Sequence, residues 1–307
     1  MKTKISAYLD NVISLSKTSY FKKFKLGLAI LIVLSTFVLL YRYISNHHEI
    51  SKQLGRVSLL FMAEIILLYG LVLYELVLIL KFSLKIIGVK ISTLENFLLN
   101  SYSLMVNFFM FGQSGPGLRA LYLKTKYKVK IKLFFYLTLL YYFYYFLISL
   151  GLVALSIYNN PTTYLVILAV LTISFTASIK FGKTFGFLSK KSMVYLFFIT
   201  ALQLITQTII FGLELGRVSS VSFVHLLAYS GFANLSLFAS ITPAGIGIRE
   251  SILLLSRKFS HFSSASIVSA SVIDRSVYIV YLIIILVFIL VFHSSGVLRK
   301  LKTLRVN

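Results

Sequence analysis

Apolar residues run along this chain in long stretches separated by short polar segments rich in lysine. A helix crossing a bilayer needs about 20 such residues, and full spans are accordingly predicted at 26–44, 57–80, 133–157, 164–179, 193–215 and 265–292. Two further apolar segments, 93–123 and 222–258, are too long for one simple helix and carry helix breakers in their middles. The first is interrupted at Phe111-Gly112-Gln113-Ser114-Gly115-Pro116-Gly117-Leu118-Arg119, the second at Ile241-Thr242-Pro243-Ala244-Gly245-Ile246-Gly247-Ile248-Arg249-Glu250. Each places an arginine beside glycine and proline inside a hydrophobic run. Paired broken segments of this kind are where transporters bind their cargo.

Composition fixes the solvent. With 58% hydrophobic and 13% charged residues and a mean hydropathy of +0.91, the 307-residue chain cannot form one core under a polar skin. It reads as a single integral membrane domain over 1–307. Its parts are a basic head (1–25), a first repeat (26–157, hairpin 93–123), a second repeat (164–292, hairpin 222–258) and a basic tail (293–307). The run at 26–44 lacks a small-residue cleavage pattern and is read as an uncleaved signal anchor. The net charge of +23 lies between apolar spans, where it serves orientation and anionic headgroups, so no nucleic-acid partner is expected. The absence of cysteine removes thiolate chemistry and cysteine metal sites. His47-His48-Glu49 lacks the convergent further ligands of a zinc site, so no metal and no cofactor is assigned.

The basic residues orient the spans. Of the 31 lysines and arginines, 22 fall in the head, 81–90, 124–132, 180–191 and the tail, which are therefore read as cytoplasmic, together with both termini. Six more lie in the segments assigned to the other side. The remaining three, Arg119, Arg249 and Arg275, are intramembrane. Both flanks of 93–123 then fall on the cytoplasmic side and both flanks of 222–258 on the outer side. The expected fold is all-α: six transmembrane helices plus two opposed re-entrant hairpins, about eight membrane segments in an inverted repeat. Weak internal similarity agrees, with Asn107-Phe108-Phe109-Met110-Phe111 set against Asn234-Leu235-Ser236-Leu237-Phe238, and Gly117-Leu118-Arg119 against Gly247-Ile248-Arg249.

Pro243-x-x-x-Gly247-x-x-Glu250, with Arg249 before the glutamate, resembles the Pro-Gly-Gly-x-Gly-x-Arg-Glu element of the lysylphosphatidylglycerol synthase transmembrane region, also called the flippase-like domain. Gly112-Gln113-x-Gly115-Pro116-Gly117-x-Arg119-Ala120-x-Tyr122-Leu123 is similar to its first-half element, and Arg275 stands where that family has an arginine in the last span. The first element departs from the family in having Leu118 where an acidic residue precedes the arginine. The resemblance implies lipid translocation or a role beside an envelope-lipid pathway, in a bacterial-type cytoplasmic membrane. The synthases' soluble aminoacyl-transferase domain is missing here, so aminoacylation is not expected of this chain.

The chemistry of the two breaks points the same way. Behind the tips, marked by Gly112, Gly115 and Pro116 and by Pro243 and Gly245, a short helix is expected to start near Gly117 and near Gly247. Their unpaired N–H groups and positive dipole ends would face the membrane interior. Arg119 and Arg249 add planar donor forks suited to phosphate, and Arg275 joins them from the last span. Glu250 is about 100° around the helix from Arg249, so it should pair elsewhere, with Arg275 or with N–H groups at its own helix start. Asp274 is a candidate partner for Arg249. Glu64 and Glu75 share one helix face and could line a cavity, and Glu64, placed deeper in its span, is the better candidate for coupling; Glu75 and Glu214 sit near span ends, where interfacial solvation and a functional role are equally open. Tyr141-Tyr142-Phe143-Tyr144-Tyr145-Phe146 clusters in mid-span, where helix packing explains it more simply than acyl-chain binding. Lys124, Lys126, Lys128, Lys130 and Lys132 meet anionic lipid on either a helical or an extended reading.

A lipid translocase for an anionic phospholipid or a polyprenyl-phosphate-linked lipid follows as the leading expectation. The alternatives are a non-catalytic partner of an envelope glycosyltransferase or other lipid-modifying enzyme, and an embedded transferase with Glu250 or Asp274 as base. The last lacks any donor-site, metal or nucleophile signature.

Overall fold

Apolar runs end where polar residues begin, but helices end where the backbone is turned, and most of the two sets of boundaries differ by a few residues. The computed structural model describes residues 57–294 except 111–113, 159, 183, 185–186, 243–244 and 246. Nine helices occur among the described residues: α1 (Leu59–Ile86), α2 (Thr93–Phe109), α3 (Gly115–Tyr127), α4 (Ile131–Ile157), α5 (Pro161–Gly182), α6 (Lys190–Val218), α7 (Phe223–Ala239), α8 (Ile248–Ser260) and α9 (Ser264–Ser294). Within α1, α4, α5, α6 and α9 lie stretches long and apolar enough to cross a membrane. The chain is thus an all-α integral membrane protein. The predicted head, the span at 26–44, His47-His48-Glu49 and the tail beyond Ser294 lie outside the described residues.

Helix α1 runs six residues past its predicted end. Lys81 and Lys85 interrupt hydropathy, yet lysine is a good helix former, and the helix stops only before Gly88, whose φ is +77°. Ser58, Ser92 and Ser189 cap α1, α2 and α6 by accepting the N–H of the third residue on. These are polar punctuation marks inside an apolar sequence.

Each of the two long apolar segments folds as an antiparallel helix pair. In the first, Asn107 of α2 bonds Gly115, Asn100 bonds Arg119, and Glu95 bonds Tyr122, Lys126 and Tyr127 of α3, so partners descend on one helix as they rise on the other. In the second, Phe232 stacks on Phe259 at 5.6 Å, and His225 meets His261 at 5.0 Å. Helices of 17 and 13 residues are roughly 25 and 20 Å long, short of the ~30 Å hydrocarbon core.

The helices fall into two series of matching length. Helices α1–α4 have 28, 17, 13 and 27 residues, and α6–α9 have 29, 17, 13 and 31. The third helix of each series ends on a left-handed residue, Lys128 (φ 56°) or His261 (φ 55°), the two non-glycine positive-φ positions among the described residues.

Packing gathers both series around a common interior. Phe61, Ile65, Tyr69 and Leu73 of α1 pack with Ile210, Phe211 and Leu215 of α6 and Ile273, Val277 and Tyr281 of α9. Where α7 crosses α4, a Cβ on Gly231 would fall 2.5 Å from Val153 Cγ2 and 3.0 Å from the Ser149 carbonyl, so only glycine allows this approach. Helix α5 stays at the periphery with Leu165, Leu168 and Ile173 exposed, as befits a lipid-facing surface.

Candidate functional site

Polar side chains inside an apolar bundle must find partners, and here they converge on one cavity of about 270 Å³. Residues near the turns of both hairpins line it: Asn107 and Phe108 from the first, Ser240, Thr242 and Gly245 from the second. Helices α1, α4, α6 and α9 complete the wall, with Tyr69, Tyr141, Tyr142, Tyr145, Gln203, Gln207, Asp274, Arg275 and Tyr278 among the lining residues. Arg119 and Arg249 enter from α3 and α8. Arg119, Arg249 and Arg275 therefore face the same space.

They are not in the same electrostatic state. Arg249 Nη1 lies 2.6 Å from Asp274 Oδ2, and its guanidinium sits 5.5 Å from the centre of the Phe211 ring. The Tyr69 hydroxyl donates to the other Asp274 oxygen. Arg275 donates from Nε to Glu250 Oε1 at 2.7 Å, and Ser271 donates to the same oxygen at 3.0 Å. Glu250 Oε2 accepts the Gly247 N–H at 2.7 Å, so one carboxylate caps its own helix and neutralises an arginine of α9. Arg119 has no carboxylate partner among the described residues. Its Nη1 donates to Asn100 Oδ1 at 3.1 Å, its Nε has no acceptor, and the ionisable groups facing it are the phenols of Tyr141 and Tyr142.

The asymmetry has a positional cause. Glu250 is the third residue of α8 and Asp274 the eleventh of α9; the third residue of α3 is Gly117 and the eleventh of α4 is Tyr141. Neither carboxylate has a counterpart in the first series. The arginines themselves are out of step, since Arg119 lies nine residues before the Lys128 cap and Arg249 twelve before the His261 cap. The sequence alignment of Gly117-Leu118-Arg119 with Gly247-Ile248-Arg249 is therefore displaced by nearly one helical turn from the register set by the caps.

Several expected site residues stand elsewhere. Gly117 and Gly247 are exposed and do not line the cavity. The helix starts behind the tips are partly satisfied from within, by Asn107 at the Gly115 N–H (2.6 Å) and by Glu250 at Gly247. Gly115 itself is buried, and a Cβ there would clash at 2.6 Å with Asn107 Oδ1 and the Ser103 carbonyl; Pro116 follows it in the first turn of α3. Gly112 and Pro243 lie outside the described residues. Glu64 is exposed on α1 away from the cavity, whereas Glu75 and Glu214 are fully buried. Of the two readings open for the latter pair, burial removes interfacial solvation, because α1 and α6 continue beyond the apolar runs, to Ile86 and Val218. Glu75 accepts from Thr206 Oγ1 at 2.7 Å, and neither Glu214 oxygen has a hydrogen-bond partner among the described residues.

Sequence reasoning missed the amides. The Tyr141 hydroxyl donates to Gln203 Oε1 at 2.9 Å, and the Tyr145 hydroxyl lies 2.6 Å from Gln207 Oε1 and 2.8 Å from Asn234 Oδ1. Their signal was present: Tyr141 with Tyr145 and Gln203 with Gln207 are four apart in apolar spans, which puts each pair on one helix face. Tyr141, Tyr144 and Tyr145 thus point inward, with Tyr144 bonded to Ser178, while Phe143 and Phe146 face out.

Fold and site together define a polytopic all-α membrane protein with a polar, arginine-bearing cavity between two helical hairpins. No family model matches this chain, and no curated protein matches it in sequence.

Proposed function

We propose that this protein is a lipid translocase that moves an anionic phospholipid or a polyprenyl-phosphate-linked lipid between leaflets, with the headgroup passing through the cavity. One observation carries the reading: of three arginines around the cavity, two are neutralised by carboxylates and Arg119 is not. A cation kept uncompensated inside an apolar bundle is costly, and an anionic ligand offsets that cost. The motif resemblance to the flippase-like region supports the same cargo class.

Alternating access requires two related halves, and three observations favour an inverted repeat of re-entrant hairpins. The helix lengths and left-handed caps match between α1–α4 and α6–α9. Tyr141, Tyr142 and Tyr145 stand at the eleventh, twelfth and fifteenth places of α4; Asp274, Arg275 and Tyr278 stand at the same places of α9, and all six line the cavity. Glu75 and Thr206, each the seventeenth residue of its helix, hydrogen-bond one another, as related residues do beside a twofold axis. On this reading the protein resides in a bacterial-type cytoplasmic membrane with cytoplasmic termini.

Two measurements test it. Proteoliposomes reconstituted with the protein are expected to expose inner-leaflet headgroup-labelled anionic lipid to an external quencher faster than protein-free vesicles. Equal rates would remove the assignment. Because the chain has no cysteine, single cysteines report topology directly: Lys90→Cys and Lys130→Cys should react with an impermeant thiol reagent from one face, Ser222→Cys and Lys258→Cys from the other. Labelling of one hairpin's two flanks from opposite faces would contradict the re-entrant arrangement.

A further inference from the structure

Arg249 has more acid around it than its ion pair uses. Asp274 holds it at 2.6 Å, and Glu250, its neighbour in α8, is committed to Arg275 and the Gly247 N–H. A further carboxyl group, Glu214 of α6, stands within electrostatic reach of Arg249 and Asp274, beside the phenols of Tyr69 from α1 and Tyr229 from α7. Asp274 and Glu214 differ in what surrounds them. Both Asp274 oxygens accept from a donor, Arg249 on one and Tyr69 on the other. Glu214 is fully buried, and neither of its oxygens has a hydrogen-bond partner among the described residues. A bare carboxylate there would carry its charge with no donor to offset the loss of water, whereas a carboxylic acid is neutral. The guanidinium of Arg249 and these two carboxyl groups therefore hold one proton between them, and it rests on Glu214.

Position gives that proton a route. Glu214 lies four residues before Val218, the last of α6, and so about 6 Å from the helix end that the proposed topology puts at the outer face. Asp274 lines the cavity and Glu214 does not. The three groups also stand on three elements, Glu214 on α6, Asp274 on α9 and Arg249 on the hairpin helix α8. We propose that Glu214, Asp274 and Arg249 form a proton-binding site that couples lipid movement to a proton gradient, one proton travelling with each anionic lipid. This rests on the translocase reading and supplies its driving force. The proton passes from Glu214 to Asp274, one O–H bond breaking and another forming. The neutral Asp274 releases Arg249 and the new Glu214 carboxylate draws it, so α8 exchanges its hold on α9 for one on α6. Asp274 then yields the proton to water in the cavity, and Glu214 takes up the next from the outer face. A negative headgroup moving with a proton carries no net charge through the bilayer, where charge is costly.

Proteoliposomes with a step of one pH unit across the membrane, and the potential held at zero with potassium and valinomycin, test this through the final distribution of headgroup-labelled phosphatidylglycerol. With the wild-type chain the label is expected to gather in the leaflet facing the alkaline side by about tenfold, the ratio that one proton per lipid gives for one pH unit. Glu214→Gln, of the same shape but with no proton to exchange, should show no such accumulation beyond that of protein-free vesicles. Infrared spectra of the protein in detergent read the proton without reference to transport: a carboxylic-acid band present in the wild type should be missing from Glu214→Gln. Glu214→Met serves both comparisons if the glutamine variant folds poorly. Four results overturn the proton site and leave the translocase reading standing: label that equilibrates without accumulating, label that gathers on the acidic side, accumulation that persists in the variants, or a band that neither substitution removes. Label that never leaves its leaflet in any vesicle overturns both.

Discussion

In Arg119→Gln, capture of an anionic lipid headgroup is expected to fall roughly 10- to 100-fold, the worth of a charge-assisted hydrogen bond at a desolvated site. The lipid-free variant is expected to become more stable. Arg119 has a hydrogen bond to Asn100 but no carboxylate partner among the described residues, so the glutamine retains a donor while removing an uncompensated charge from an apolar bundle. A gain of about 1 kcal/mol in the absence of lipid, together with loss of transport, is the pattern of a group held at a functional site at the expense of stability. Arg249→Gln should behave oppositely without lipid, because it strands Asp274. If Arg119→Gln lowered the lipid-free midpoint as Arg249→Gln does, Arg119 would be a structural cation and the carrying observation would be lost.

Asp274→Ala is expected to destabilise the protein by about 3–5 kcal/mol, the usual consequence of leaving one partner of a buried ion pair alone. The loss is large because Asp274 is almost completely buried and serves two groups, Arg249 through one oxygen and the Tyr69 hydroxyl through the other. A midpoint lowered by roughly 10 °C in detergent would express it. Lys126→Ala provides the contrast: its pair with Glu95 is 2.8 Å long, but the lysine is 40% exposed, so the effect should stay within ~1 kcal/mol. Joint replacement of Arg249 and Asp274 by leucine removes both charges and should restore the part of the stability lost through the stranded arginine, while the Tyr69 hydroxyl stays without its acceptor. Transport by that double variant then separates a locking role of the pair from a role in cargo handling: full activity assigns the pair to structure alone.

Periodic hydropathy located the five described spans because a bilayer imposes length and apolarity on any helix that crosses it. The breaks at 110–114 and 240–247 were equally legible, since glycine and proline act locally and need no tertiary partner. Even the pairings of Glu250 with Arg275 and of Asp274 with Arg249 could be named as candidates, because so few charges occur in the membrane that few partners compete.

The roles within that set belonged to the tertiary structure. Glu64 and Glu75 lie on one helix face by spacing, yet one is exposed and the other buried against Thr206, because different neighbours cover different heights of the same face. Likewise three arginines look equivalent along the chain, and only the meeting of α8 with α9 neutralises two of them while α3 meets the tyrosines of α4. Sequence by itself determined a membrane protein with two interrupted segments and a handful of buried charges, since solvent class and helix breaking are local properties. Which arginine was left without a carboxylate depended on contacts between residues far apart in the chain.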